Sequence, residues 1–344
     1  MILVTGGTGL VGSHLLWNLI ASGEKKVRAI YRTEDSREKT KALFLWKIEQ
    51  QPALSEKHPF KKIEWVKTDL NNLNGLKPAF EGVTRVYHCA AMISFNPREY
   101  QKLKKVNVEG TANIVNLSLA YGVKKLCYVS SIAAIGTGKN PRTETTFWEP
   151  HKHNSVYSIT KFAAEMEVWR GTQEGLPAVI VNPGLILGEG DYDSGSGKIF
   201  GTVYGGNSFY TPGSTAVVDV NDVVEAMIRL SQSEIQNERY ILVSKNMDYK
   251  EIFSVIAEAL ASKKPKYALQ PWQMYGLAFL DRVAALIFGK DQVIFRTTVR
   301  SAFLVRTYSN SKLKKAIDFD FTPIPETVTR VARHFLAQHK EQQT

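Results

Sequence analysis

The sequence predicts an α/β fold, a doubly wound parallel sheet with a smaller C-terminal lobe. Three observations lead to it. Short apolar runs alternate with longer helical patterns through the first half of the chain, as they do in strand-helix-strand units whose sheet is covered on both faces. A glycine-rich segment follows the first apolar run and opens a helix. The length, 344 residues, suits about two structural units at roughly 150 residues each. With 44% hydrophobic and 22% charged residues the chain has an ordinary globular balance, which excludes disorder and fibre.

Strands are expected at Ile2 to Thr5, Val27 to Tyr31, Ile63 to Lys67, Arg85 to Cys89, Lys125 to Ser130 and Ala178 to Val181. Between them lie helical patterns at Leu10 to Ser22, Asp35 to Gln50, Glu99 to Tyr121 and Val156 to Glu174. Gly23 and Gly122 follow two of these as C-terminal caps, and Pro177 marks the exit from a third. After Pro183 the character changes. Gly184 to Gly213 is rich in Gly, Ser and Tyr and is read as a binding-loop region without regular elements. A helix at Asn221 to Ser231 and a strand at Tyr240 to Val243 are expected to rejoin the sheet. Helices near Lys250 to Leu260, Trp272 to Phe288 and Pro325 to Gln338 complete the lobe. The expected division is 1–182 with about 215–245 as the larger domain, and 183–214 with 246–344 as the smaller lobe.

Charge and composition exclude several classes. Forty-four basic against 33 acidic residues give +11, but the excess is dispersed. Clusters such as Lys102, Lys104, Lys105 and Lys312, Lys314, Lys315 fall in helical segments as solvated faces. No recognised nucleic-acid motif accompanies them, so a nucleic-acid partner is not expected. Cys89 and Cys127 are too few for a disulfide framework and sit in apolar runs, as buried thiols of a reducing compartment do. Met1 runs directly into the first strand, so no signal peptide is expected and the expected location is cytoplasmic. Trp272 to Phe288 is interrupted by Asp281 and Arg282 and lacks the ~18 uninterrupted apolar residues of a membrane span; it is read as an amphipathic helix. His151 and His153 have no carboxylate or thiol companions, and no metal is expected.

The segment TGGTGLVGSHLL begins at Thr5 and places Gly6, Gly9 and Gly12 at G-x-x-G-x-x-G spacing. A glycine triplet alone is weak, but this one stands in strand, turn, helix context. Gly6 permits the tight turn, Gly9 lets backbone N–H groups approach a pyrophosphate, and Gly12 allows close helix packing. The helix start then faces an anion with unpaired donors, so 1–182 with about 215–245 is read as a dinucleotide-binding domain and 183–214 with 246–344 as a substrate-binding lobe. Gly197-Lys198, preceded five positions earlier by Tyr192 and followed by Ile199, is no phosphate loop. Arg32 follows the second strand where NAD-preferring folds commonly place an acid for the ribose 2′-hydroxyl. A cation there favours NADP(H), with NAD(H) left open because Glu34 and Asp35 stand nearby and Arg32 has a reading as a solvated loop residue.

Tyr157 and Lys161 stand four apart in YSITK, on one face of a helix. An ammonium beside a phenol favours the phenolate and lowers its pKa toward acid–base use. Ser130 and Ser131 close a strand, where ligands of open α/β sheets bind.

Together these residues resemble the extended branch of the short-chain dehydrogenase/reductase superfamily, the NAD-dependent epimerase/dehydratase family, with a Rossmann domain. The likeness runs along nearly the whole chain: TGGTGLVG, Asp69-Leu70, HCAA at His88 to Ala91, NVEGT at Asn107 to Thr111, VSS at Val129 to Ser131, YSITK, and VVDVNDV at Val217 to Val223. The resemblance implies cofactor contacts from Thr5, Gly6, Thr8, Gly9, Leu10, Val11 and Gly12, and from Arg32, Tyr157 and Lys161. Asp69 and Leu70 would border the adenine, Ala90 and Ala91 line the dinucleotide, and Pro183 lie near the nicotinamide. Asn107 would hold the active-site architecture through a water or backbone contact, although both it and Asp69 have plainer readings, as a partner of buried backbone groups and as a helix N-cap. Ser131 would be the catalytic serine, Tyr157 the proton donor or acceptor, and Lys161 the residue that lowers the tyrosine pKa and binds the ribose.

Departures from the family pattern narrow the expectation. Ser131-Ile132-Ala133 stands where dehydratases have Thr-Asp-Glu, so dehydration is not expected. NPGLILGE carries Asn182 and Glu189 where the branch has Arg and a second Pro, which weakens a nucleotide-sugar reading. VNPGLILGEGD and PGSTAVVDVNDVVEAM look more like dihydroflavonol reductase-like and hydroxysteroid dehydrogenase-like members. The function expected is therefore an NADP(H)-dependent oxidoreductase that reduces a carbonyl, or oxidises a carbinol, of a small apolar or ring-containing substrate. The alternatives are a nucleotide-sugar epimerase with retained NAD and, from another class, a non-catalytic dinucleotide sensor. Phe95, Phe147, Trp148, Tyr192, Phe200, Tyr204, Phe209 and Tyr210 supply aromatics for a pocket or for the core. The resemblance also implies a homodimer built on the helices at Glu99 to Tyr121 and Val156 to Glu174.

Overall fold

Residues 1–53, 59–152, 154–289 and 292–341 are described by a computed structural model. The first half alternates strand and helix: β1 (Ile2–Thr5), α1 (Leu10–Ala21), β2 (Val27–Tyr31), α2 (Glu34–Gln50), β3 (Ile63–Lys67), α3 (Leu73–Ala79), β4 (Arg85–His88), α4 (Tyr100–Leu103), α5 (Gly110–Ala120), β5 (Lys125–Val129), α6 (Val156–Gln173) and β6 (Ala178–Pro183). β1, β2, β5 and β6 are buried along their whole length, which is why they read as unbroken apolar runs rather than alternating ones. The strand face alternates with period two. Ile2 and Val4 pack with Leu15, Leu16 and Trp17 of α1 on one side, while Leu3 packs with Leu76, Ile114 and Val115 on the other.

The second half adds β7 (Leu185–Leu187), α7 (Lys198–Tyr204), β8 (Phe209–Tyr210), β9 (Ser214–Asp219), α8 (Val220–Gln232), β10 (Glu238–Leu242), β11 (Lys245–Asp248), α9 (Tyr249–Ala259), β12 (Tyr267–Ala268), α10 (Pro271–Phe288), α11 (Arg296–Ser301), α12 (Ser311–Ile317) and α13 (Ile324–Glu341). The large sheet runs β10-β6-β5-β4-β1-β2-β3, and each pairing in it is parallel. β1 therefore lies between β2 and β4, and the winding reverses there. The C-terminal ends of β1 and β4 lie at the edge where such sheets hold ligands.

Several elements differ from the sequence expectation, each for a physical reason. The helix expected over Glu99 to Tyr121 is split by a π-helical turn at Lys104–Glu109, the kind of wide turn that re-aims a side chain. Gly184 to Gly213 is not free of regular structure. Leu185, Ile186 and Leu187 pair with β9, and Phe200 and Val203 seat α7 in the lobe's core with Ile256, Val331 and Phe335. α3 is capped by Asn72, whose side chain accepts from Gly75 N, and not by Asp69. Of the stretch at about 215–245, α8 and β10 return to the large sheet, while β9 joins β7 and β11 in a separate three-stranded sheet. Cys127 is buried, Cys89 half-buried, and both are free thiols.

A buried knot of charges ties the lobe to the sheet. Glu189, in the loop after β7, accepts from Arg330 Nε of α13 at 2.8 Å and lies 3.2 Å from His14 Nε2 of α1. Arg330 also donates to Asp219 of β9 at 2.9 Å. Burial pushes the Glu189 pKa up, but His14, Lys47 and Arg330 outweigh it and hold the carboxyl well below the usual carboxylate range. Glu189→Ala leaves the buried Lys47 without this counter-charge and Arg330 with Asp219 alone, at a cost of up to about 3–5 kcal/mol. Urea denaturation at neutral pH measures that loss. Because the folded pKa is depressed, the wild-type advantage is complete above the ordinary carboxylate pKa of ~4.3 and fades only as pH falls further.

Candidate active site

The first turn is shaped by what it cannot accommodate. Gly6 has φ +66°, and a Cβ there would stand 2.6 Å from Ala90 N. A Cβ on Gly12 would stand 2.1 Å from Gly6 O. The turn thus presses on the exit of β4, and α1 presses on the turn. Gly9 differs: a Cβ on it would meet nothing nearer than Gly6 O at 3.4 Å. α1 starts at this open face with no side chain capping it, so the first-turn N–H groups keep their capacity for an anion. Thr8 and Leu10 flank the opening half-buried, and Val11 is buried behind it.

Strand ends and helices around the crevice are joined by a chain of buried hydrogen bonds. Thr5 Oγ1 lies 2.6 Å from His88 Nδ1, and His88 Nε2 lies 2.9 Å from Thr111 Oγ1. The Thr111 hydroxyl donates to Asn107 O at 2.5 Å. Burial, then the Lys161 charge, lowers the His88 pKa to about 3, so the ring is neutral. With the Thr111 proton committed, Nε2 donates to Thr111 and Nδ1 accepts from Thr5. Asn107, inside the π-helical turn, clamps the loop after β4: its Oδ1 accepts from Met92 N at 2.7 Å and its Nδ2 donates to Met92 O at 3.0 Å. The same Nδ2 also donates to Thr160 Oγ1 of α6 at 3.3 Å.

Ser130 and Ser131 part company at the end of β5. Ser130 Oγ donates to the buried Glu165 at 2.6 Å. Ser131 is half-buried and accepts from Ala133 N at 3.1 Å. α6, capped by Ser155, brings Tyr157 and Lys161 to the same place. Burial pushes the Tyr157 phenol up to about 12, and a hydrogen bond with the Ser131 side chain draws it back. Phe95 packs edge-on against its ring, centroids 5.6 Å apart. Lys161 is buried, its Nζ donating to Tyr128 OH at 2.8 Å and to Val129 O at 2.9 Å. Burial lowers its pKa to about 7, against the pull of Glu165. The expectation that Lys161 lowers the Tyr157 pKa is corrected: the ammonium is turned toward β5, and burial and Ser131 set the phenol.

Glu165 escaped the sequence reading. Its carboxylate accepts from Ser130, from Asn182 Nδ2 at 2.8 Å and from Arg239 at 2.9 Å, and Asn182 also donates to Ser131 O at 3.0 Å. Its one local signal was its place four residues after Lys161 on the same helix face.

Arg32 is exposed just past β2 and has no hydrogen-bond or ion-pair partner among the described residues. The acids beside it are engaged, Glu34 with Tyr31, Arg37 and Lys67, and Asp35 with Lys39. Asp69 accepts from Asn71 N at 2.9 Å in a turn after β3. Leu70 is buried against Gly110, where a Cβ would stand 2.9 Å from the leucine. Ala90 N approaches Thr5 Oγ1 at 3.4 Å, Ala91 is exposed beside it, and Pro183 closes β6 opposite Leu242. Tyr192 and Phe200 belong to the lobe's core around Phe335, as Tyr204 does at its edge. Trp148 stacks on Phe162, Phe147 is exposed, and Phe209 and Tyr210 form β8. His153 lies outside the described residues, and among those described no group of His, Cys, Asp and Glu is placed to hold a metal.

A parallel sheet with this turn at its switch point and a Ser, Tyr, Lys group at the strand ends defines an NAD(P)-dependent enzyme of the extended short-chain dehydrogenase/reductase class. The chain belongs to the NAD dependent epimerase/dehydratase family, whose model matches residues 2–242. Sterol demethylase protein B of Methylococcus capsulatus is 30% identical over 283 residues, 81% of this chain and 80% of that protein. A putative dihydroflavonol 4-reductase of Synechocystis is 26% identical over 344 residues, 98% of this chain and 94% of that one. The crystal structure of gox2253 superposes with a TM-score of 0.77 at 28% identity, covering 98% of each chain.

The burial of Lys161 has a consequence for stability. Between about pH 7 and the ordinary lysine pKa of ~10.4 the unfolded chain holds a proton that the folded chain has released. Stability therefore rises with pH through this window on account of Lys161. In Lys161→Met that contribution vanishes. Denaturation of both proteins across the window measures it as a wild-type-minus-variant difference that grows with pH, and a flat difference would refute the assignment.

Proposed function

We propose that the protein is an NADP(H)-dependent oxidoreductase that reduces a carbonyl, or oxidises a carbinol, of a small apolar or ring-containing substrate. The observation that carries this reading is the juxtaposition of Ser131 and Tyr157 beyond β5, with Lys161 one helical turn behind. The open face at Gly9 and the uncapped start of α1 fit a pyrophosphate, since a side chain at Gly9 would fill that face. Thr5, Gly6, Thr8, Gly9, Leu10, Val11 and Gly12 would hold it there. Asp69, Leu70, Ala90 and Ala91 would border the adenosine half, and Pro183 the nicotinamide.

When bound, the nicotinamide supplies or takes up the hydride. Ser131 donates a hydrogen bond to the substrate oxygen and stabilises the charge that develops on it. Tyr157, a phenol protonated at neutral pH and made a still weaker acid by burial, gives its phenolic proton to that oxygen during reduction. Lys161 holds β5's end through Val129 O and would bind the nicotinamide ribose. Asn107 keeps the loop at Met92 in place. The names of relatives support an apolar substrate: sterol demethylase protein B, a putative dihydroflavonol 4-reductase, and an anthocyanidin reductase from Arabidopsis thaliana. The free guanidinium of Arg32 supports a 2′-phosphate on the cofactor.

NADPH oxidation with a panel of ring ketones, flavonoid-like substrates and aldehydes tests the reading. Release of NADP⁺ in step with product is expected. Tightly retained NAD with turnover only of UDP- or GDP-sugars would overturn it in favour of an epimerase. Tyr157→Phe is expected to lower kcat by about 10²–10⁴ with dinucleotide affinity unchanged by fluorescence titration. Arg32→Ala removes one charge-assisted hydrogen bond of roughly 1.5–3 kcal/mol. The Kd for NADPH should rise about ten- to hundredfold while that for NADH stays put; equal losses for both would remove the case for NADP.

A further inference from the structure

α10 forms where the sequence places a helix, but it faces the wrong way for an ordinary amphipathic one. Of its 18 residues only Ala278 is buried. Trp272, Phe279, Leu280, Leu286, Ile287 and Phe288 are 62% to 73% exposed. Trp272, Phe279 and Leu286 recur at seven-residue intervals, with Leu280 and Ile287 beside them, so five of the six share one face. A contiguous apolar patch of this kind marks an interaction surface.

The polar side chains of α10 do little to break that face. Gln273 is spent on the N-terminal capping box with Gln270. Asp281 accepts from the backbone N–H groups of Val293 and Ile294, both at 2.8 Å. Around the patch the charge is positive. Between Ala261 and Asn310 the sequence has eight Lys and Arg but only two acids, Asp281 and Asp291. Lys263 and Lys266 lead into the helix exposed, Arg282 is exposed on it, and Arg296 opens α11 exposed.

This charge chooses between occupants. A second copy docked by two-fold symmetry would set like charges against like across the interface. An anionic lipid surface attracts the same cations, and its acyl boundary accepts the apolar face. Trp272 and Tyr275 at the helix's N-terminal end are of the type that settles at headgroup level. No helix among the described residues is long and apolar enough to cross a membrane, so the helix axis would lie in the interface plane. We propose that α10 is an interfacial anchor that seats the C-terminal lobe on the surface of an anionic phospholipid bilayer. The anchor is joined to the region after β7: β12, just before α10, pairs with β8, and Ala302 O after α11 accepts from Gly213 N at 3.1 Å.

The test is flotation of the full chain with vesicles of phosphatidylcholine alone and of phosphatidylcholine with one-third phosphatidylglycerol. At low salt, binding to the anionic vesicles is expected to exceed that to the neutral ones by about tenfold or more, and to weaken with added salt. The paired substitution Phe279→Ser with Ile287→Ser should cut anionic-vesicle binding by about tenfold or more with the unfolding temperature unchanged. Lys266→Glu with Arg282→Glu should abolish the lipid preference. Absence of binding to either vesicle, or equal binding to both, overturns the proposal. Size-exclusion chromatography covers the other occupant: a dimer that the serine pair converts to monomer, with no vesicle binding, assigns the face to a second copy.

Discussion

The site depends on one close approach, the passage of Gly6 against Ala90 with no side chain between them. A Cβ at Gly6 would stand 2.6 Å from Ala90 N, far inside van der Waals contact, so the strand exits can meet only because the residue is glycine in a left-handed conformation. That contact aims the start of α1 into the crevice between β1 and β4. It also sets the strand ends in register, Thr5 opposite His88, and their side chains are hydrogen-bonded to each other. From His88 the bonding continues to Thr111 and Asn107 and from Asn107 to the loop at Met92. The glycine turn and the loop at Met92 are thus coupled by direct contacts through the sheet.

A second layer of order is electrostatic. Glu165 is a buried carboxylate satisfied by Ser130, Asn182 and Arg239, so β5, β6, β10 and α6 meet at one charge. A buried charge with several donors is specific about geometry, because loss of any partner leaves it undersatisfied. This explains the division between the two serines. Ser130 is committed to Glu165, leaving Ser131 as the hydroxyl that faces Tyr157. The same burial that makes Lys161 a weak holder of its proton makes Tyr157 a firm one, and a firmly protonated phenol is suited to giving a proton to an oxygen that is gaining charge.

Much of the fold was legible because its signals are local. The central strands are continuous apolar runs, the helices between them end at Gly23 and Gly122, both in positive-φ conformation, and the first turn announces itself in eight residues. What stayed hidden is mostly what only the folded chain brings together. Glu189 finds His14 from 175 residues away, and Glu165 finds Arg239 from 74 residues away, distances over which sequence pattern carries no information. Spacing put Tyr157 and Lys161 on one helix face correctly, yet it said nothing of where the ammonium would turn. Tyr128 OH and Val129 O on the neighbouring strand decided that. Gly184 to Gly213 was misread because its regular elements are short and are held by partners outside the segment.

α10 shows the limit of periodicity in another way. An amphipathic repeat says that a helix has an apolar face, not that this chain supplies what covers it. In α13, Val328, Val331 and Phe335 turn into the lobe's core. In α10 the comparable stripe turns away, and the helix is held by its packing on α11, by its capping box and by Asp281's reach to Val293 and Ile294. Such local bonds stabilise a helix weakly compared with the burial of an apolar face, which supplies most of the helical stability in folded proteins. Each large apolar side chain left in water forgoes about 1.5–3 kcal/mol of transfer free energy. A face of this size left in water forgoes that stabilisation several times over, and the cations around it suit it to an anionic interface.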